Sequence, residues 1–244
     1  MKRPSLSAVL IITAAIIAAA SASACSQKPK PFALQRADMV KYQLKQRGIT
    51  DPAILNAFMS VPREEYVLPS FRDHTYDDVE APSGFGQSLD RPYENAVMLR
   101  ALVLKPTDRV LEVGTGSGYL SSLMSRIARD VYTIEIEGPI AQDATERVRR
   151  LGYENVHVKQ GDGFLGWPEY APFNAIVMTC SPPELPKPLV EQLAEGGRIV
   201  LPLGGTEKFQ ELVMYEKKEG KLIGPRPLAP TEFVPMKGKI LDKN

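Results

Sequence analysis

The residues with the clearest chemical meaning are three glycines at alternate positions, Gly114, Gly116 and Gly118, in the run RVLEVGTGSGY. The apolar residues before them are typical of a strand buried on both faces of a parallel sheet, and the apolar spacing after them predicts a helix. Glycine lets the chain turn sharply and lets a ligand approach the backbone, because no Cβ stands in the way. The first amide groups of the helix would point at that ligand. Strand, glycine turn and helix therefore predict a nucleotide-type binding site.

Two acidic residues follow the next two predicted strands and narrow the choice of ligand. Glu135 ends an apolar run and can accept charge-assisted hydrogen bonds from the two hydroxyls of a ribose, which suits either NAD or S-adenosylmethionine. Asp162 lies between two glycines after a third predicted strand, where its carboxylate can reach an adenine amino group. A dinucleotide motif would need glycine or alanine at the position of Tyr119. The spacing instead resembles the first motif of S-adenosylmethionine-dependent methyltransferases.

The apolar pattern along the chain predicts alternating strands and helices, which favours a mostly parallel sheet with helices on its faces. Strands are predicted at 110–113, 131–134, 156–159, 173–179 and 198–203, helices at 93–102, 120–127, 140–151 and 185–193, and a turn at 196–197. Alternating residues at 210–216 and a turn at 219–220 predict a C-terminal antiparallel hairpin with 221–223. Two predicted helices, at 34–48 and 52–60, form an N-terminal helical cover.

A glycine-containing loop at 83–92 lies between an irregular segment, 63–82, and the helix predicted at 93–102. Its sequence, SGFGQSLDRP, contains several side chains that can donate or accept hydrogen bonds. Because the loop comes shortly before the strand that leads into the glycine turn, we expect it to border the same pocket.

Composition indicates an ordinary globular domain. The chain has 244 residues, of which 43% are hydrophobic and 24% charged, enough for one α/β domain. Without residues 1–24 it carries 28 basic against 29 acidic residues and has no dense basic run, so no nucleic-acid partner is expected. The two histidines lie far apart in the sequence, and neither they nor the two cysteines form a metal-binding cluster. Cys180 ends an apolar strand, which is typical of a small residue at the edge of a core.

The N-terminus predicts export. Lys2 and Arg3 precede a short apolar run and small residues, which together describe a signal peptide at 1–24. Cys25 follows at once and resembles the lipidated cysteine of a bacterial lipoprotein, although Ala22 stands where leucine is usual. Lipidation at Cys25 and plain cleavage after the Ala22-Ser23-Ala24 run both stay open, as does a cytoplasmic form that starts at Met39. A tether at 25–33 and a domain at 34–244 would follow, with the lipid as the only membrane contact.

From about Leu34 to Ile240 the sequence resembles protein-L-isoaspartate O-methyltransferases. The runs that carry this resemblance are VPREEYV, LEVGTGSGY, GDG, APFNAIVMTCSPPELP and EGGRIVLPLG. It implies a doubly wound, Rossmann-like fold, S-adenosylmethionine as cofactor and isoaspartyl-containing proteins as partners. We expect a monomer. It also implies cofactor contacts for a set of residues from five parts of the chain: Gly86, Gln87, Glu112, Gly114, Thr115, Gly116, Glu135, Asp162, Gly163 and Gln210.

One position of the loop departs from the family pattern. Family members usually read Q-T-I-S-Q-P, with the serine taken as the active residue, whereas this chain reads Gln87-Ser88-Leu89-Asp90-Arg91-Pro92. Ser88 and Asp90 are therefore the catalytic candidates. An ionised Asp90 about 4 Å from a substrate carboxylate would be repelled by roughly 4 kcal/mol at an effective dielectric of ~20.

Three arrangements would avoid this repulsion, and the sequence does not choose among them. Asp90 turns away and Ser88 acts, Arg91 neutralises Asp90, or the acceptor is a hydroxyl or amine for which Asp90 is the general base. A non-catalytic envelope binding protein on the same fold is a further alternative. Methyl transfer to a carboxylate needs no proton abstraction, so catalysis would depend on placing the acceptor oxygen and on hydrogen-bond donors that hold it.

Overall fold

The computed structural model of the chain describes residues 30–204 and 209–243. The predicted signal peptide at 1–24, Cys25 and most of the predicted tether lie outside the described residues. The compact unit that contains the site begins at Phe32. Among the described residues, no helix has the length and apolar character that crossing a membrane requires.

The strands of the described residues follow the predicted alternation with helices. The strands are β1 (Ala81–Gly84), β2 (Gln87–Leu89), β3 (Arg109–Val113), β4 (Asp130–Glu135), β5 (Val156–Gln160), β6 (Phe173–Met178), β7 (Leu193–Leu203), β8 (Gln210–Lys218) and β9 (Lys221–Thr231). The α-helices are α1 (Phe32–Asp38), α2 (Pro52–Ser60), α3 (Pro92–Leu102), α4 (Tyr119–Ser125), α5 (Gly138–Arg150) and α6 (Lys187–Glu191).

Seven of these strands form one sheet in the order β5-β4-β3-β6-β7-β8-β9. The first five pair in parallel, and β8 and β9 are added antiparallel. The chain moves outward from β3 through β4 to β5 and then returns to the other side of β3 with β6. This reversal confirms the doubly wound sheet with its C-terminal hairpin, and it places a crevice at the carboxyl ends of β3 and β6.

Helices and loops bury both faces of the sheet, because neighbouring residues of each strand point in opposite directions. In β3, Val110 packs in the core cluster that also contains the N-terminal cover, α3 and α4. Leu111 and Val113 pack in the cluster on the opposite face, together with Leu189 of α6. Continuous apolar strands were predicted for this reason, and Val110, Leu111 and Val113 are each at most 2% exposed.

The N-terminal cover combines regular and irregular turns. After α1 the chain continues as a π-helical turn, Met39–Leu44, and a 3₁₀ turn, Lys45–Arg47, before Gly48 at φ +89° ends the predicted helix. Asp51 caps α2 by accepting a hydrogen bond from the Ala53 amide at 2.8 Å. Residues 63–82 are largely irregular, as expected, with 3₁₀ turns at Arg63–Glu65 and Pro69–His74.

The structure corrects three local predictions. The turn predicted at 196–197 is wrong, because both glycines lie inside β7, where the pairing with β6 shifts register between Phe173 and Ala175. The helix predicted at 185–193 is limited to Lys187–Glu191, since Leu193 already begins β7. The loop at 83–92 contains a small antiparallel hairpin, β1–β2, with Phe85 and Gly86 at positive φ in its turn and Gly84 at positive φ beside a bulge.

Candidate cofactor and acceptor site

The glycine turn after β3 is fixed to the end of β6. Gly114 adopts φ +99°, and a Cβ at this position would lie 2.3 Å from Thr179 Oγ1. The Thr179 hydroxyl uses this space and donates a hydrogen bond to the Gly114 carbonyl at 2.7 Å. Gly118 at φ +82° lies directly before α4, so the turn leads into the helix as predicted. The glycines are therefore required by the junction itself as well as by any ligand.

Glu135 ties the ends of β3 and β4 together. Its Oε2 accepts a hydrogen bond from the Gly116 amide at 3.0 Å, and its Oε1 accepts one from the Glu137 amide at 3.1 Å. The side chain is 7% exposed, so the carboxylate is held at the sheet edge by two backbone donors. Each oxygen retains a lone pair that can accept from a ligand hydroxyl.

Glu112 lies deeper in the protein, near the carboxyl end of β3 and two residues before Gly114. It is 1% exposed, and its Oε2 accepts from the hydroxyls of Ser121 and Thr133, the latter at 2.7 Å. Thr133 also shares a hydrogen bond of 2.7 Å with Thr115 of the glycine turn. Burial raises the pKa of Glu112 to about 8, because water is excluded and the nearby Asp90 and Glu135 carboxylates add repulsion that the two hydroxyls only partly offset.

The β1–β2 hairpin forms the other wall. Ser88 is exposed, and its Oγ lies 3.5 Å from Glu80 Oε2, whereas Asp90 is half-buried just after β2. Arg63, fully buried, donates from Nη2 to the Asp90 carbonyl at 2.8 Å and from Nε to the Thr75 carbonyl at 2.9 Å. Burial raises the pKa of Asp90 to about 7, with Glu94 and Glu80 adding to the rise and Arg63 opposing it.

A C-terminal segment, 232–237, closes the site and was missed by the sequence reasoning. Its backbone pairs with the chain after β6, with the Ser181 amide donating to Val234 at 2.8 Å and the Met236 amide donating to Ser181 at 2.9 Å. Lys237 Nζ forms an ion pair of 2.8 Å with Glu137. The only signal for this segment in the sequence was the family resemblance, which extends as far as Ile240.

Two of the predicted cofactor residues anchor this segment. Gln210 is buried and exchanges two hydrogen bonds with the backbone of Phe233, at 2.6 Å and 2.8 Å. Asp162 accepts from the Phe164 amide at 2.9 Å and, with its other oxygen, from the Lys239 amide at 2.8 Å. Neither residue lines the cavity, whereas Phe233 and Gly163 do. The contact that Asp162 was predicted to make with adenine stays a prediction.

One cavity joins these parts. The predicted site residues that line it are Gly86, Gln87, Ser88, Asp90, Glu112, Gly114, Thr115, Gly116, Glu135 and Gly163. Its wall also includes Glu80, Asn95, Thr179, Cys180 and residues 232–237. Cys180 was predicted only as a core-edge residue; it borders the cavity, and burial raises the pKa of its thiol to about 12.

The charges and unpaired polar atoms of the cavity indicate a cationic ligand. Six carboxyl side chains line it against one basic residue, Lys237. Even without Glu112 and Asp90, whose pKa values are raised, four carboxyl side chains remain, so a pyrophosphate would be repelled and a sulfonium attracted. The buried Oδ1 of Asn95 has no hydrogen-bond partner within 30–204 and 209–243 and can accept from a ligand ammonium group. Within the same residues, no group of three or more His, Cys, Asp or Glu is placed to hold a metal ion.

The fold and the cavity define a doubly wound α/β protein with an adenosine-type site of the S-adenosylmethionine-dependent methyltransferase class. The family model for protein-L-isoaspartate(D-aspartate) O-methyltransferase matches residues 34–241. The chain belongs to this family.

Comparisons with individual proteins give the same family. The chain is 46% identical over 209 residues to protein-L-isoaspartate O-methyltransferase 1 of Geotalea uraniireducens, covering 86% of this chain and 95% of that protein. A solved protein-L-isoaspartate O-methyltransferase matches with a TM-score of 0.77 at 30% identity, over 84% of this chain and 67% of that one. A second, a putative enzyme from Plasmodium falciparum in complex with S-adenosyl-L-homocysteine, matches with a TM-score of 0.71 at 27% identity, over 83% of this chain and 98% of that one.

Replacing Glu112 by glutamine should change how stability depends on pH. In the native protein the pKa of Glu112 is raised from 4.5 to about 8, so folding retains a proton that the unfolded chain releases. The associated stability is fully present below about pH 4.5 and is lost as the pH rises towards 8, at up to about 1.4 kcal/mol per pH unit. We expect Glu112→Gln, whose amide oxygen still accepts from Ser121 and Thr133, to be increasingly more stable than the wild type from pH 5 to 8.

Urea unfolding at each pH measures this difference. The matched control is Glu154→Gln. Glu154 is exposed and lies in the turn before β5, at the amino ends of the parallel strands, whereas the cavity lies at their carboxyl ends. A constant difference in unfolding free energy between Glu112→Gln and the wild type across this range would contradict the assignment of Glu112 as a buried, proton-retaining group.

Proposed function

We propose that the protein transfers a methyl group from S-adenosylmethionine to the free carboxylate of L-isoaspartyl residues in damaged proteins. The observation that carries this proposal is the single cavity that joins the glycine turn and Glu135 to residues 86–90, in a chain of this family. One wall provides nucleoside-binding groups and the other provides polar groups for an acceptor, so both reactants can meet inside it.

The cofactor would occupy the wall built from β3, β4 and the glycine turn. Glu135 would accept from the ribose hydroxyls, and Gly116, where a Cβ would have no neighbour within 4 Å, leaves space for close approach in the turn that also contains Gly114 and Thr115. Gly163, Gly86 and Gln87 line the same cavity, and Gln210 and Asp162 would support it through the C-terminal segment. Bound there, the cofactor supplies a methyl group on a positively charged sulfur.

The carboxyl groups of the cavity favour this charge. Burial, with a smaller contribution from the Asp90 and Glu135 carboxylates, raises the pKa of Glu112, and a cation in the cavity would reverse part of that rise. The unpaired Oδ1 of Asn95 offers an acceptor for the ammonium group of the cofactor. The donor set therefore fits a sulfonium nucleoside and does not fit a pyrophosphate.

The acceptor would enter beside the β1–β2 hairpin, where Ser88 and Asp90 line the cavity. A carboxylate is already a nucleophile at neutral pH, so the protein needs to hold one oxygen in line with the methyl group. Hydrogen-bond donors that grip the other oxygen would fix that position. The buried Arg63 keeps this wall in place through the backbone of Asp90.

The purified protein should methylate an isoaspartyl peptide and leave its normal aspartyl twin almost untouched. The twin presents its carboxylate on a different branch of the backbone, and a displacement of the reacting atom by about 1 Å can cost roughly 100-fold in rate. Formation of S-adenosylhomocysteine measures both reactions. Equal rates on the two peptides would contradict isoaspartyl specificity. Turnover of neither peptide, with the cofactor product still bound, would indicate a different acceptor or a non-catalytic binding protein.

We also propose that the protein is exported, as a lipoprotein or in the periplasm, and acts as a monomer. The sequence of residues 1–25 supports export. A start at Met39 would remove α1, including Arg36, which pairs with Glu64 at 2.8 Å and donates to Tyr76 at 2.7 Å. These contacts favour a start upstream of α1.

Mass measurement of the mature N-terminus tests the export proposal. We expect a chain that begins at Cys25 and carries added lipid mass, and a Cys25→Ala variant that loses that mass and leaves the membrane fraction. A chain that begins at residue 25 without added mass would indicate plain cleavage and a free periplasmic protein. A chain that begins at Met1 or Met39 would contradict export.

A further inference from the structure

We propose that Asp90 holds the substrate carboxylate as a protonated carboxyl group, so that its O–H replaces the hydroxyl donor that the family pattern places at this position. This inference rests on the proposed function, in which the acceptor is an isoaspartyl carboxylate. It adds an expected loss of substrate binding at alkaline pH. It also differs from the three ways of avoiding repulsion that the sequence left open.

The backbone of Asp90 is held in place, so the residue does not simply turn away with its loop. Arg63 is fully buried, and its Nη2 donates to the Asp90 carbonyl at 2.8 Å while Nε donates to the Thr75 carbonyl at 2.9 Å. Moving the end of β2 would leave this buried guanidinium with one partner fewer, which is costly. The Asp90 side chain lines the cavity on the same wall as Ser88.

The charged groups around Asp90 favour its neutral form. Glu94 lies in the first turn of α3, Glu80 precedes β1, and Glu112 approaches from β3. Arg63, beneath the hairpin, is the cation that opposes them. Arg91, next in the chain, is exposed and acts on Glu94. The other charged groups on the cavity wall are Glu135, Glu137, Glu232 and the paired Lys237.

Burial and this acidic surrounding raise the pKa of Asp90 to about 7 before any substrate is bound. A substrate carboxylate beside it adds another negative charge and raises the pKa further. The repulsion of two carboxylates is thereby converted into one hydrogen bond, in which the protonated carboxyl donates and the substrate oxygen accepts. Pairs of this kind are short and strong, because one partner is charged.

The bound proton does not interfere with methyl transfer. Asp90 grips one oxygen of the substrate, and the other oxygen uses its lone pair to form the new bond to the methyl carbon. The bond between sulfur and the methyl carbon breaks, and its electron pair stays on the sulfur, which becomes neutral. The product is an ester, which is less basic than the carboxylate, so the proton stays on Asp90 and none is consumed or released.

A pH profile of kcat/KM for an isoaspartyl peptide tests this role. The substrate carboxylate is ionised throughout pH 6–9, so its own titration does not contribute. Above the pKa of Asp90 we expect wild-type kcat/KM to fall about tenfold per pH unit, mainly through a rising KM. Asp90→Ser and Asp90→Asn carry donors that do not titrate, so their profiles should be flat. Glu112→Gln should keep the wild-type slope, which would exclude the second titrating carboxyl as its source.

Calorimetry adds a measurement that is independent of turnover. The isoaspartyl peptide is titrated at pH 8 into protein saturated with S-adenosylhomocysteine, in buffers of different ionisation enthalpy. We expect the wild type and the remote control Glu154→Gln to take up close to one proton per peptide bound. Asp90→Asn should take up none. A structural role for Asp90 alone would change the affinity without changing this proton count.

The outcomes separate this inference from the function on which it rests. A flat wild-type profile with active Asp90→Ser, or no proton uptake, would overturn the role of Asp90 and leave the proposed function intact. A profile that rises with pH would also overturn it and would indicate a general base. If neither the wild type nor Asp90→Ser methylates the peptide at any pH, the proposed acceptor is wrong, and this inference fails with it.

Discussion

The site depends on one carboxylate at the edge of the parallel sheet. Glu135 ends β4, and it accepts hydrogen bonds from the amides of Gly116, after β3, and Glu137, before α5. These bonds fix the position of the glycine turn relative to the end of β4. Across the turn, the Thr179 hydroxyl donates to the Gly114 carbonyl and fixes it to β6 as well. The ends of three neighbouring strands are thereby held as one rigid wall, against which a nucleoside can be bound without further ordering.

The acidic character of the cavity connects cofactor choice with acceptor chemistry. Ionised carboxyl groups in the cavity attract a sulfonium, yet the same charges would repel a substrate that is itself a carboxylate. Retaining protons resolves this conflict, because burial raises the pKa of Glu112 to about 8 and that of Asp90 to about 7. A cationic cofactor favours ionised acids, whereas an anionic acceptor favours protonated ones. Glu112 lies on the wall assigned to the cofactor and Asp90 on the wall assigned to the acceptor. Binding of the two ligands can therefore shift the pKa values of these two groups in opposite directions.

Much of the fold could be predicted because local patterns determine it. The strands buried on both faces have continuous apolar runs, and the glycine turn and Glu135 follow directly from where those strands end. Gly196 and Gly197 misled the prediction, since whether two glycines turn or bulge depends on pairing with β6, which is not local. For the same reason the support that Gln210 gives to Phe233 could not be derived, because the two are 23 residues apart and meet only after the hairpin forms.

Calorimetric titration with S-adenosylhomocysteine tests most directly whether Glu135 and the glycine turn form an adenosyl-binding wall, by comparing the wild type with Glu135→Ala and the remote control Glu154→Gln. We expect one site per chain in the wild type and in the control. We expect at least a roughly tenfold loss of affinity in Glu135→Ala, since charge-assisted hydrogen bonds to the ribose and the hydrogen bonds that join the ends of β3 and β4 both disappear. No binding by the wild type, or equal affinity in all three proteins, would contradict the claim that this sheet edge holds an adenosyl ligand.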